Sequence, residues 1–191
     1  MFNVTALMEA LASLGKLLAE RGIQFNAIVL GGANLLVSGV IERPTIDVDV
    51  IAERGPDGEL LPSTPLPAAV AEAVAVVARM QGLPIDWFNS VAGSELQFGV
   101  PEGCLARLRP QEFDALTVWW VDRRDITAFK LIAAVDHVGR PVNKHFEDLR
   151  LLGPTVDEML HAVAWFEQIT APSSAAFNDL ACILSELGFG R

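Results

Sequence analysis

From Thr45 to Val50 the chain alternates polar and β-branched residues, Thr45-Ile46-Asp47-Val48-Asp49-Val50, and Ile51 extends the apolar run. Side chains on a strand repeat with a period of two, so this pattern predicts a strand over 45–51 that presents Asp47 and Asp49 on the same face. Two carboxylates held that close repel each other unless positive charge lies between them. Mg²⁺ supplies that charge and takes carboxylate, phosphate and water oxygens in octahedral geometry. The alternative is a sheet edge where solvent screens both acids. Ile46, Val48, Val50 and Ile51 favour a central strand.

What precedes this strand fits a phosphate site. Leu7, Leu11, Leu14, Leu17 and Leu18 recur at helical spacing before Gly22 and predict an opening amphipathic helix. Phe25 to Leu30 is an apolar run suited to a buried strand, it breaks at Gly31-Gly32, and Ala33 to Ser38 predict a short helix. Strand, Gly-Gly turn and helix together direct backbone N–H groups at a helix N-terminus, where the missing Cβ lets a phosphate come close. A tight turn with no ligand is the simpler alternative for the glycines alone.

Beyond Gly55-Pro56-Asp57-Gly58 the prolines up to Pro67 predict an irregular loop. Ala68 to Met80 predict a buried helix, Ile85 to Phe88 a short strand, and Ala115 to Val121 another, with Trp119 and Trp120 on opposite sides. Asp122 stands at a helix N-cap position ahead of Ile126, Lys130, Ala133 and Ala134. Three further helices are expected: Lys144 to Leu152, one opened by a Thr155 to Glu158 capping box and running to about Ile169, and about Ser173 to Leu187. The fold class is therefore α/β (α+β): an α/β core over residues 1–125 and a helical C-terminal region over 126–191, packed as one compact unit.

The formal charge of −10 and pI near 4.7 argue against broad phosphate-neutralising binding to nucleic acid, with Arg123-Arg124 and Arg140 to His145 as the alternative of a local basic patch, and no sequence-specific DNA binding is expected. An acidic chain suits a metal, a cationic small molecule or a basic partner. With 51% hydrophobic and 20% charged residues the chain has a globular balance. Cys104 and Cys182 form no metal or disulfide motif and are expected as reduced thiols. The N-terminus shows no basic region before an apolar run, which predicts a cytoplasmic protein. The charge-free stretch Phe25 to Ile41 is shorter than the roughly 20 residues a membrane span needs, so no membrane partner is expected.

Taken together, Gly31-Gly32, Arg43-Pro44-Thr45 and Asp47-Val48-Asp49 resemble the signature of the DNA polymerase beta-type nucleotidyltransferase superfamily. The likeness is nearest to the AbiEii-like branch, the toxins of bacterial type IV toxin–antitoxin and abortive-infection systems, and to related uncharacterised proteins. Lys130 and Asp148-Leu149 are similar to a later Lys and Asp-Leu step of that branch, and Leu83 to Asn89 resembles a segment of the uncharacterised relatives. The resemblance spans about residues 25 to 160 and is specific at Arg43 to Asp49.

It implies a nucleotidyltransferase-like mixed sheet flanked by helices and a two-metal phosphoryl-transfer site. Asp47 and Asp49 would hold Mg²⁺ or Mn²⁺ with a third carboxylate, for which Asp86 is the choice over Asp114 and Asp122. The NTP would be bound by Gly31, Gly32, Asn34, Arg43 and Lys130. Arg43 is alternatively a salt-bridge partner of Glu42 or Asp47, and Lys130 alternatively a surface lysine. Many members carry Ser after the first Gly; this chain has Gly32-Ala33-Asn34, which leaves backbone N–H groups or Asn34 to replace it. The implied activity moves a nucleotide from an NTP to a hydroxyl of RNA, protein or a small molecule, with an antitoxin protein as partner. An aminoglycoside-type adenylyltransferase and a catalytically silent nucleotide- or partner-binding protein are the alternatives.

Overall fold

The computed structural model describes residues 1–190 and, among them, every side chain except that of Glu95. The chain divides into two compact units. The first comprises residues 1–100 and 105–121, the second residues 101–104 and those from 122 onward. The change from sheet to helices falls at 121/122, because Asp122 itself caps the next helix and accepts the Arg124 N–H at 3.0 Å.

In the first unit, α1 (Val4–Glu20) leads to β1 (Phe25–Leu30), α2 (Gly31–Val37), β2 (Val48–Arg54), β3 (Leu60–Leu61), α3 (Ala68–Gln81) and β4 (Phe88–Asn89). A 3₁₀ segment over Val91–Phe98 and α4 (Cys104–Arg107), whose first residue falls to the second unit, precede β5 (Arg109–Phe113) and β6 (Leu116–Trp120). The strands form one mixed sheet in the order β3-β2-β1-β6-β5, flanked by helices, with β4 also on β2. Pairs β1–β6 and β2–β4 are parallel; the others are antiparallel. β3 pairs with Glu53 and Arg54 and β4 with Val48 and Asp49, so the two short strands share the outer edge of β2.

β1 lies inside this order with neighbours on both edges, which is why Phe25 to Leu30 reads as an apolar run. α1 turns Leu7, Leu11, Leu14 and Leu18 inward, and its Asn3 cap accepts the Ala6 N–H at 2.8 Å. Gly15 lets it lie on the sheet backbone, since a Cβ there would stand 1.8 Å from the Phe113 carbonyl oxygen. The sheet side of Phe25, Phe88, Val118 and Trp120 is buried, and an aromatic chain Phe2–Trp87–Phe88–Phe25 runs through it at centroid distances of 5.7, 5.6 and 6.5 Å.

Several elements differ from expectation. β2 begins at Val48, not Thr45, because Thr45 pairs with the chain start instead: the Phe2 N–H donates to Thr45 O at 2.6 Å and the Thr45 N–H to Phe2 O at 3.2 Å. The strand expected over 85–88 shrinks to Phe88–Asn89, since the Trp87 N–H turns back to Pro84 O at 3.1 Å. Leu60–Leu61 pairs with β2 inside the loop expected to be irregular. β5, Arg-Pro-Gln-Glu-Phe, went unseen because a largely exposed edge strand needs no apolar alternation and tolerates Pro110.

The β1–β2 register carries a bulge at Ile51: Ile28 faces Ala52 while Val29 faces Val50. The extra residue reverses the alternation. Asp49 therefore shares a sheet face with Leu30, Ile28 and Ala52, and Glu53 falls on the other side.

The second unit contains α5 (Arg123–Asp136), α6 (Lys144–Leu152), α7 (Val156–Ile169) and α8 (Ala176–Glu186), close to the helices expected. α5 is buried almost all round and contacts the other three. Phe129 meets Trp165 at 5.0 Å, and Phe166 meets Phe177 at 5.3 Å. The capping box of α7 forms as expected, Thr155 accepting the Glu158 N–H and Glu158 accepting the Thr155 N–H. No described helix is long and apolar enough to cross a membrane.

Candidate functional site

Asp49 sits in the β2 ladder between Leu30 of β1 and Asn89 of β4. Its half-buried carboxylate lies against the Gly31 backbone: a Cβ on Gly31 would fall 2.0 Å from Asp49 Oδ2. Gly31 has a φ of 81°, so it supplies both the left-handed turn from β1 into α2 and the room for the acid. Gly32 leaves similar room beside Thr45, whose Oγ1 would be 2.7 Å from an added Cβ. The Thr45 hydroxyl lies 3.5 Å from Asp47 Oδ1 and 3.3 Å from the Asp47 carbonyl oxygen. Gly31, Gly32, Thr45, Asp47 and Asp49 thus form one contiguous corner.

This corner brings together four of the residues singled out from the sequence, with one change. Asp47 immediately precedes the strand, so its position comes from the Phe2–Thr45 bridge and the Thr45 hydroxyl as well as from strand periodicity. Arg43 lies on the exposed bend just before Thr45. Thr45 joins the corner although the alternation of acids does not mark it; Arg43-Pro44-Thr45 holds the signal.

Asp86 does not complete a carboxylate triad. It falls on an exposed turn rather than a strand, and the described residues hold no group of three or more His, Cys, Asp or Glu arranged for a metal. The residue in register with Asp49 is Asn89, three positions later. Its carboxamide closes the local turn, Nδ2 donating to Asp86 O at 3.2 Å and Oδ1 accepting the Val91 N–H at 3.0 Å.

Asn34 is also placed otherwise than expected. It is buried, and its Nδ2 donates to Val29 O at 3.0 Å and Val121 O at 3.1 Å, tying the ends of β1 and β6 to α2 instead of facing a phosphate. With the Asn34 amide so engaged, the donors left at the turn are backbone N–H groups.

Lys130 belongs to the second unit and is buried there, its Nζ 2.7 Å from Asp148 Oδ2. It is no snorkelling surface lysine. The His137 and His145 rings meet edge to face at 4.7 Å in this unit, and His137 Nδ1 lies 2.8 Å from Ala133 O. His145 Nδ1 is buried with no hydrogen-bond partner among the described residues. Burial, then the charges of Lys130, His137 and Lys144, lower the His145 pKa from 6.5 to about 4, with Asp148 opposing.

The donor chemistry of the first-unit corner is that of a hard divalent ion, carboxylate and hydroxyl oxygens: Asp49 lies against a glycine backbone that a side chain would fill, and Asp47 lies beside the Thr45 hydroxyl. Compared with family models, curated proteins and solved structures, the chain matches none.

Proposed function

We propose that this protein has the nucleotidyltransferase fold of the DNA polymerase beta type and binds a divalent-ion–NTP complex at the corner of Gly31, Gly32, Thr45, Asp47 and Asp49. Within that class the AbiEii-like branch is the nearest reading, with an antitoxin protein as partner. The observation that carries the proposal is the Asp49 carboxylate seated against Gly31, because it joins the two halves of the sequence signature in one place.

Mg²⁺ or Mn²⁺, when bound, would supply Lewis-acid stabilisation of the phosphates. Asp47 and Asp49 would hold the ion, with the Thr45 hydroxyl beside Asp47. Gly31 and Gly32 keep Cβ atoms out of the space where phosphate oxygens approach backbone N–H groups. The acceptor hydroxyl oxygen of RNA, protein or a small molecule would form a bond to the α-phosphorus of the NTP as the bond to the β-phosphate breaks, so that pyrophosphate leaves and the hydroxyl proton passes to solvent.

Calorimetric titration with Mg²⁺ and NTP tests this against Asp47→Asn/Asp49→Asn. The wild type should bind NTP in the presence of Mg²⁺, and the double variant should lose about tenfold or more in affinity, worth about 1.4 kcal/mol, while unfolding at a similar temperature. Equal binding by both proteins removes the site.

A second reading, a silent nucleotide-binding protein, is favoured by Asn89: a neutral amide engaged in its own turn stands in register with Asp49. Asn89→Asp distinguishes the two. A gain in divalent-ion affinity and in nucleotide transfer marks a site that lacks only a carboxylate.

A further inference from the structure

On the face of the sheet that carries Asp49, the bulge at Ile51 sets another group of side chains. Without the bulge, Arg54 and Asp49 would point to opposite sides, because they are an odd number of residues apart; with it, they share one. Trp119, in register with Ile28, and Asn26 lie on that same face, and Thr117 is in register with Asn26. All four residues are half-buried.

The Arg54 guanidinium carbon stands 4.1 Å from the centre of the Trp119 ring, and Arg54 Nη1 donates to Leu105 O at 3.4 Å. The Trp119 Nε1–H is directed at Asn26 Oδ1 at 3.5 Å. The result is a planar cation stacked on a planar indole with a carboxamide at its side. From Asp49 this cluster is two strands across and two residues along, about 12 Å.

Resting on the NTP reading of the corner, we infer that Trp119, Arg54 and Asn26 are the nucleobase platform of the same site. The phosphates lie at the Gly31-Gly32 turn, and the base continues the guanidinium–indole stack. Stacking on aromatic and guanidinium planes accepts any base, whereas the Asn26 carboxamide has two N–H donors and an acceptor to sort base edges. Trp120, its neighbour, faces the buried side and donates to Gln111 Oε1 at 2.8 Å; it is the internal control.

The test is calorimetric, with Mg²⁺ present, comparing ATP with inorganic tripolyphosphate for the wild type, Trp119→Leu, Arg54→Met and Trp119→Phe. The expected result is that the wild type binds ATP more tightly than tripolyphosphate. Trp119→Leu should lose about tenfold on ATP and nothing on tripolyphosphate, Arg54→Met should lose in the same direction, and Trp119→Phe should retain binding. Should Trp119→Leu fail to fold, Arg54→Met carries the same comparison. Variants that keep the wild-type preference for ATP overturn the platform and leave the phosphate corner standing. A wild type that binds neither ligand overturns both.

Discussion

Two pairs of acids, one in each unit, show what burial does to a carboxylate. In the helical unit Asp125 and Asp148 are 0% and 2% exposed, and each meets a basic side chain, His161 at 3.1 Å and Lys130 at 2.7 Å. In the sheet unit Asp47 and Asp49 are half-exposed and border a neutral hydroxyl and glycine backbone. An acid removed from water must find a hydrogen-bonding or charged partner within the chain, because an uncompensated buried charge costs several kcal/mol. An acid left at the surface of a glycine turn keeps access to ions from solution. The first arrangement is scaffold; the second leaves both acids in contact with solvent.

The largest effect that sharpens this contrast is expected from Lys130→Met. It removes the cation 2.7 Å from the buried Asp148 carboxylate and should cost about 3–5 kcal/mol in urea unfolding. The double change Lys130→Met/Asp148→Leu should recover most of the loss, because it removes both charges. If Lys130→Met leaves stability intact but abolishes NTP binding, the lysine belongs with the ligand site and the contrast breaks.

Gly31→Ala should come next. The new Cβ would overlap Asp49 Oδ2, and the φ of 81° is one that alanine rarely adopts, so a loss of about 1–3 kcal/mol is expected. Divalent-ion affinity should fall with it, as Asp49 must move. Unchanged affinity by calorimetry would detach the glycine from the acids.

His145 gives a smaller, pH-dependent effect. Its charged form is disfavoured in the folded chain, so the unfolded chain binds the proton first as pH falls. Stability should therefore decline between pH 6.5 and about 4 and change no further from this group below that. Because the ring is only half-buried, solvent screening holds the loss to about 2 kcal/mol or less. His145→Gln should flatten this part of a stability-versus-pH curve; an unchanged slope assigns the proton elsewhere.

The smallest change is Thr155→Ala, which removes one side of the α7 capping box and should cost about 1 kcal/mol in thermal unfolding, with no effect on Mg²⁺ or NTP binding.

The helical unit was the more legible of the two because its signals are local. Asp122, Thr155 and Glu158 announce helix starts through caps that bond within three residues, and α5 and α7 follow from that spacing. β1 and the Gly31 turn were legible for the same reason, a compact run followed by a residue with no Cβ. The association of the Gly-Gly turn with the Asp-x-Asp strand was legible only through the family resemblance, and the β1–β2 register supplies its physical basis.

What the sequence by itself determined is therefore local: helix starts, a buried strand, a turn that needs glycine, and two acids spaced two apart. What only the tertiary structure decided is which groups meet across distance. Asn34 is drawn into the ends of two strands, Lys130 finds Asp148 on another helix, and Asn89 rather than Asp86 comes into register with Asp49. A single bulge at Ile51 decides that Arg54 joins the Asp49 face and Glu53 does not. Local signals arise from bonds between residues a few positions apart, which spacing encodes directly; pairing and register minimise buried polarity over the whole sheet, and no short stretch of chain carries that sum.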